Sequence, residues 1–354
     1  MLVRGSTELT ASLSNLAGAP SASILICYRG EAVFNQACGL AALEPRTPAS
    51  VRTSYRLASL TKQFTATAIL QLVEKGGICL ETGVADVLPE LSRCAEGVRV
   101  RHLLTHTSGI WDYEELLPAS QTDQVADGEV LTLLSQVNQG YFPPGAAFRY
   151  SNSGYVLLGL IVKRISGCSF ADFLRTQIFR PLGMDSTHAY EPGISSIPER
   201  AYGYSGIPGG FSLNDQSTTS ATLADGGVYS STADLARWEH ALTHAHLLPA
   251  STLEQTWGPA RLNDGTPVPY GFGWYVDTDR GRLRLTHHGE TAGFTNAAVR
   301  YPNEQLGVWV LTNRTGGAPW NLAQNVADGA LALLEKAPAS PSTAPWPFQR
   351  FVHR

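Results

Sequence analysis

Lysine is scarce in this chain: among 354 residues it occurs as Lys62, Lys75, Lys163 and Lys336. Charge of either sign is sparse, 16% in all, and 26 Lys+Arg against 30 Asp+Glu leave a formal charge of -4. No concentrated basic face can form, which excludes a nucleic-acid partner that would have to displace counterions. Long apolar runs are missing too. The longest, Tyr155 to Val162, falls far short of the roughly 20 residues that span a bilayer, so no membrane span is expected. The five cysteines (Cys27, Cys38, Cys79, Cys94, Cys168) are odd in number and lack C-x-x-C spacing. Neither a disulfide framework nor a zinc knuckle follows, and they read as buried reduced thiols. The opening MLVRGSTELTASLSNLAG has no apolar core of a secretory signal, which favours the cytoplasm. A periplasmic or secreted chain whose leader had been removed would read the same way.

What is present is a core: 43% hydrophobic residues, with 7 Trp, 13 Tyr and 12 Phe to bury. Disorder is excluded, and the length suits two domains or one large composite. SASILICY and EAVFNQACG flank Arg29-Gly30 as a hairpin over 22–40,. A helical pattern runs from Ser59 to Lys75 and stops at Gly76-Gly77,. RHLLTHTSG, EVLTLLSQVN, SGYVLLGLIVKRISG and SFADFLRTQIF carry helical spacing between the breaks FPPG and RPLGM,. Residues 191–227, rich in Gly, Ser, Thr and Pro, read as irregular loops. STADLARWEHALTHA is a helix capped at Ser231 or Thr232,. Strand-like runs YGFGWYV, RLRLTHH, FTNAAVRY and LGVWVLT follow, then a helix NLAQNVADGALALLEK and a Pro/Ala/Ser-rich tail,. The expected fold class is therefore α/β: an antiparallel sheet built from both termini and flanked by helices, with an inserted all-α part. Residues 1–80 and 225–336 form the α/β domain, 81–224 the helical insert with its loops, and 337–354 the tail.

One lysine stands out. Lys62 has a serine three positions before it, Ser59 in LASLTKQF, and on a helix positions i and i+3 share a face. Serine is a weak nucleophile until a base takes its proton. A lysine with a reference pKa of about 10.4 must be desolvated, or sit near positive charge, to be that base at neutral pH. A helix start adds backbone N–H groups for an oxyanion. Taken alone, S-x-x-K also fits a helix start with a solvated lysine. Tyr150 and Asn152 in FRYSNSGY form a second element. A phenol before a helix can enter a cleft and accept a proton or exist as phenolate beside a cation, while Asn152 can bond Lys62 and a substrate amide. The same triplet recurs at Tyr301-Pro302-Asn303, where it reads as turn chemistry. His287-His288-Gly289-Glu290 ends a strand. Gly289 would let substrate approach the backbone, and the Glu290 N–H is a candidate oxyanion donor beside that of Ser59.

With these residues in hand, the chain resembles the serine β-lactamase-like family, in the branch of class C β-lactamases, D-Ala-D-Ala carboxypeptidases and carboxylesterases. The resemblance covers about 20–335. It also rests on LLTHTSGI (103–110), FPPGAAFRYSNSGYVLLG (142–159), IFRPLGMDST (178–187), GGVYSSTADLARW (226–238) and HHGETAGF (287–294), which occur in the family's order. It implies that Ser59 is acylated, that Lys62 and Tyr150 are a coupled base/acid pair, and that Asn152 positions. It also suggests that His102 and His106 serve packing and loop anchoring.

The third motif is H-x-G (His287, Gly289), where true class C lactamases carry K-T-G. A histidine with a pKa of about 6.5 is largely neutral at pH 7 and anchors a substrate carboxylate less well than lysine. Esters, amides or small peptides are therefore expected ahead of β-lactams, with deacylation by Tyr150 and Lys62. A true β-lactamase or D-Ala-D-Ala carboxypeptidase is the alternative, and a binding or scaffold protein on the same fold is another. No G-x-S-x-G elbow occurs, which removes the α/β-hydrolase route. His240, His244 and His246 in WEHALTHAH lack H-E-x-x-H and read as a polar face, so neither a metal nor a cofactor is expected. Trp111 and Tyr113 either line the pocket or pack in the core. The expected partner is a small-molecule or peptide substrate.

Overall fold

The computed structural model describes residues 18–336, apart from 192, 194, 195 and 259. The expectations for the opening segment and for the 337–354 tail fall outside the described residues. In chain order the main elements are β1 (Ala22–Tyr28) and β2 (Glu31–Cys38), then helix α1 (Lys62–Glu74), α2 (Val100–Leu104), α3 (Asp127–Ser135), α4 (Asn152–Ser166) and α5 (Phe170–Leu174). A ribbon of β3 (Tyr204–Ile207) and β4 (Gly210–Leu213) follows, then α6 (Thr232–Thr243) and α7 (Ala250–Trp257). The chain closes with β5 (Tyr275–Asp279), β6 (Arg282–Thr291), β7 (Phe294–Tyr301), β8 (Leu306–Thr312) and α8 (Pro319–Lys336).

The central sheet has the order β5-β6-β7-β8-β1-β2, antiparallel at every pairing. Both ends of the chain build it, as the pattern of strands implied. Alternate residues face opposite ways along a strand. Ile24, Ile26, Val299, Val308 and Val310 meet Ala323, Ala327 and Leu331 of α8 on one face. Leu25, Ala298, Trp309 and Leu311 meet the larger core around Phe64, Leu235 and Trp238 on the other. Covered on both faces, β7 and β8 are buried at every position and show no polar alternation,. Helix α1 is buried from Lys62 through Leu72, packed against α4 and the sheet. Residues around a helix axis point in all directions, so burial of eleven successive positions requires neighbours on every side.

Several expectations need correction. The helix expected from Ser59 begins as a 3-10 turn at Ala58–Thr61 and becomes α-helical at Lys62. The helix in RHLLTHTSG ends at Leu104, and His106 adopts φ 56. Segment 191–227 contains the β3–β4 ribbon, a hairpin that its Gly/Ser-rich composition hid. The YGFG portion of YGFGWYV is not strand, and Gly273 adopts φ 82 where a Cβ would sit 2.9 Å from the Lys62 carbonyl. Helix α7 was not foreseen. Of the cysteines, all free, Cys27 and Cys94 are buried, Cys38 and Cys168 are half-buried and Cys79 is exposed. No helix among the described residues is long and apolar enough to cross a membrane.

Helix α6 is held to the sheet by a buried ion pair. Glu239 accepts from Arg300 Nε at 2.5 Å and from Trp309 Nε1 at 3.1 Å. His240, His244 and His246 pack ring on ring at the end of the same helix, with His240 Nδ1 3.3 Å from the Gly30 carbonyl. Removing one member of a buried pair strands the other charge. Glu239→Ala is expected to cost about 3–5 kcal/mol of unfolding free energy, read as a lowered midpoint in urea. An unchanged midpoint would show that the pair contributes nothing.

Candidate active site

Ser59 sits in the 3-10 turn that feeds α1. The residue before it, Ala58, holds φ 50, a left-handed conformation that costs a non-glycine residue of order 1 kcal/mol and is maintained by its surroundings. Lys62, one turn on, is fully buried. Its Nζ donates to Ser59 Oγ at 3.0 Å, to Asn152 Oδ1 at 2.8 Å and to the Asp225 carbonyl at 2.8 Å. It also lies 5.0 Å from the Tyr150 ring centre and 5.5 Å from that of Tyr155. Three acceptors match the three hydrogens of an ammonium. Burial nevertheless lowers the amine to about 8, against the upward pull of Asp225, Asp112 and Glu114. Near neutrality it can therefore lose a proton, and the neutral amine can accept the Ser59 hydrogen across the same 3.0 Å contact,.

Asn152 opens α4. Its backbone N–H donates to Asp112 Oδ2 at 2.6 Å and its side-chain Nδ2 to Glu114 Oε1 at 2.8 Å. The amide is thus fixed between a carboxylate and the lysine, and positions Lys62 from the far side of the cleft. Tyr150, two residues earlier, is near enough to Ser59 for that hydroxyl to act on its phenol. Its ring packs 4.2 Å from that of His106 and lies parallel to Tyr275 at 6.2 Å. Burial pushes the phenol well above its ordinary range, and the nearby Ser59 hydroxyl only partly offsets this. Tyr150 is therefore a neutral phenol in the resting site. The phenolate admitted from sequence is disfavoured, because Asp225, Asp112 and Glu114 stand nearby and oppose a further negative charge,.

His287 lies inside the wall of the site. It is 1% exposed, its Nδ1 donates to the His288 carbonyl at 2.7 Å, and its Nε2 accepts from Tyr270 Oη at 2.9 Å. Those partners select the neutral tautomer, and burial with Lys62 nearby holds its pKa well below the ordinary value. Its neutrality is as expected, and both of its nitrogens are engaged within the wall of the site.

Gly289 is also required by packing within the chain. A Cβ there would lie 2.1 Å from the Leu57 carbonyl and 3.3 Å from Ala58 Cβ. The glycine lets β6 press against the turn that carries Ser59. Strand β5 pairs with Arg282–Thr286, so from His287 to Thr291 that edge of β6 has no strand partner among the described residues. Glu290 is exposed there, and its N–H belongs to the stretch of strand laid against the Ser59 turn.

The structure thus brings Ser59, Lys62, Tyr150 and Asn152 together and sets Gly289-Glu290 beside them. Sequence reasoning missed Asp112, Glu114, Asp225 and Tyr270, which come from irregular segments without spacing that marks them. His106, expected to anchor a loop, accepts from the Ser151 N–H at 3.2 Å and packs against Tyr150, Tyr155 and Tyr270. His102 accepts from the Arg99 N–H at 3.1 Å. Tyr113 is a core residue, whereas Trp111 is half-buried and packs on Tyr141 at 4.3 Å. The second Y-x-N lies at the β7–β8 turn.

The family described as beta-lactamase matches residues 9–332. Penicillin-binding protein 4* of Bacillus subtilis (strain 168) is 34% identical over 310 residues, 82% of this chain and 68% of its own length. A D-aminopeptidase of Gluconobacter oxydans (strain 621H) is 29% identical over 331 residues, 91% of this chain but 62% of its own. The chain therefore spans less than two thirds of that enzyme. The structure of the octameric penicillin-binding protein homologue from Pyrococcus abyssi superposes with a TM-score of 0.78 at 28% identity, over 95% of this chain and 78% of that one.

Gly289→Ala is expected to push β6 off the Ser59 turn and lower hydrolysis by about 100-fold, the scale of loss for a misplacement near 1 Å. The measurement is hydrolysis of a p-nitrophenyl ester alongside a thermal melt. Full activity in a folded variant would show that the close approach has no bearing on the site.

Proposed function

The chain belongs to the beta-lactamase family, and on that premise we propose that it is a serine hydrolase that cleaves ester or amide bonds through an acyl-enzyme on Ser59. The single observation that carries this reading is the 3.0 Å contact between Ser59 Oγ and a fully buried Lys62 Nζ. In the neutral form Lys62 takes the hydroxyl proton as Oγ bonds to the carbonyl carbon. The N–H groups of Ser59 and Glu290 receive the developing oxyanion. Tyr150 passes its proton to the leaving oxygen or nitrogen as that bond breaks, and Lys62 returns a proton to Tyr150. Water then repeats the sequence in reverse, releasing the acid. The residues 1–80 with 225–336, and 81–224, act as two units with this site between them.

Charge around the site bears on the substrate. His287 is neutral, while Asp112 and Glu114 stand behind Asn152. A substrate carboxylate therefore finds repulsion where a K-T-G lysine would supply attraction, and neutral or amine-bearing esters and amides suit the site better. The D-aminopeptidase relative supports an amine-bearing substrate. A second reading, acylation of Ser59 by a β-lactam, is favoured by the 34% identity to a penicillin-binding protein. A panel of p-nitrophenyl esters, D-amino-acid anilides, a D-Ala-D-Ala peptide and nitrocefin separates these readings.

Ser59→Ala should reduce ester hydrolysis to background, and intact-mass analysis should show a fluorophosphonate adduct in the parent that the variant lacks. Turnover retained by Ser59→Ala would remove the reading altogether. The pH profile offers a second check. Lys62 is lowered to about 8 and must be deprotonated to act. The rate constant kcat/KM should therefore climb about tenfold per pH unit below that value and level off above it. Because His287 is neutral throughout this range, no limb should appear near 6.5; a dominant limb there would assign the base to a histidine.

A further inference from the structure

Asp225 takes no part in the steps above, yet it is built into their centre. Its backbone carbonyl accepts from Lys62 Nζ at 2.8 Å. Its side chain is 6% exposed, and among the described residues Oδ1 finds no hydrogen-bond donor. Buried carboxylate oxygens are ordinarily paired, because an unpaired one forfeits its hydration without return. The two neighbouring acids are differently employed. Asp112 accepts from the N–H groups of Asn152 and Glu114, and Glu114 accepts from the Asn152 amide.

We propose that Asp225 is the buried counter-ion of Lys62, stabilising by its charge the ammonium that forms when Lys62 takes the Ser59 proton. This rests on the reading of Lys62 as the base. Asp225 receives no proton in the step: the hydrogen moves from Oγ to Nζ, positive charge appears on Nζ, and the carboxylate is already in place. It is a positioning residue in the electrostatic sense, acting on the reaction through the lysine.

Other charged and titratable groups face the pair. Arg56, 2% exposed with Nη2 donating to the Ser220 carbonyl at 3.0 Å, adds a second cation. Asp127 at the start of α3 acts on Asp225 but not on the lysine, while Asp112, Glu114 and the phenols of Tyr113 and Tyr150 stand around the pair. Burial raises the Asp225 carboxyl, while Lys62, the nearby Thr222 hydroxyl and Arg56 pull it back. Of the three acids near the lysine, Asp225 supports its ammonium most strongly, ahead of Asp112 and Glu114.

The scarcity of lysine makes a direct test practical, since 13Cε-labelled lysine gives four side-chain signals. In the parent protein Lys62 should titrate at about 8, and the 13Cγ signal of Asp225 should show an inflection at the same pH. In Asp225→Asn the Lys62 titration should move down by about one unit, the scale of a lost neighbouring charge. The acid limb of kcat/KM should move with it, while the plateau rate falls about tenfold because the ammonium formed in the transition state has lost its partner. Asp127→Asn, which removes a carboxylate not placed against the lysine, should leave the Lys62 titration in place. An unmoved Lys62 titration in a folded Asp225→Asn protein overturns the proposal, as does a parent Asp225 signal blind to Lys62. The second measurement needs no variant and decides the matter if Asp225→Asn does not fold. Activity surviving in Ser59→Ala would refute the hydrolase reading and leave these titrations untouched, so the two failures are distinct.

Discussion

The removal of one amine from water organises the site. Burying an ammonium costs several kcal/mol unless its hydrogens are all received and opposite charge is near. Lys62 meets both conditions with acceptors drawn from three places: Ser59 one turn back, Asn152 at the head of α4, and the carbonyl of Asp225. Burial still lowers the amine to about 8, so both of its states are accessible near neutrality,. Each acceptor needs its own support. Asn152 is held by Asp112 and Glu114, and the aromatic wall of Tyr150 and Tyr155 excludes the water that would restore the lysine to its ordinary basicity.

The sheet contributes through a single close approach. Strand β6 reaches the Ser59 turn because position 289 has no side chain, and the turn itself carries a left-handed alanine that only its surroundings maintain. Strain in the turn and the missing Cβ in the strand are two sides of one arrangement: backbone brought against backbone. The end of β5 at the register of Thr286 leaves that length of strand without a strand partner among the described residues.

Electrostatics sets what enters. Three carboxylates, a neutral histidine and one amine of variable charge make the floor of the site acidic when Lys62 is neutral and more nearly balanced when it is protonated. The lysine therefore governs reactivity and local potential together. Both depend on how completely Asn152 and Asp225 shut it off from solvent.

The sequence could reveal whatever is written at helical or strand spacing. Ser59 and Lys62 stand three apart on one face, the strands at both ends read as strands, and the long helices carried their stops and caps. Two features of the same letters were not legible: Gly289 makes room for Leu57 and His287 is buried, because neither packing against a distant turn nor the direction of a strand face shows in a four-residue motif. Asp112, Glu114, Asp225 and Tyr270 were illegible for the same reason. They belong to irregular segments, and the contacts that give them meaning join residues as far as 163 positions apart. Local periodicity determined the elements and the nucleophile pair. Burial, which no single residue carries in its name, was decided by the tertiary fold, and it is burial that lowers the basicity of Lys62.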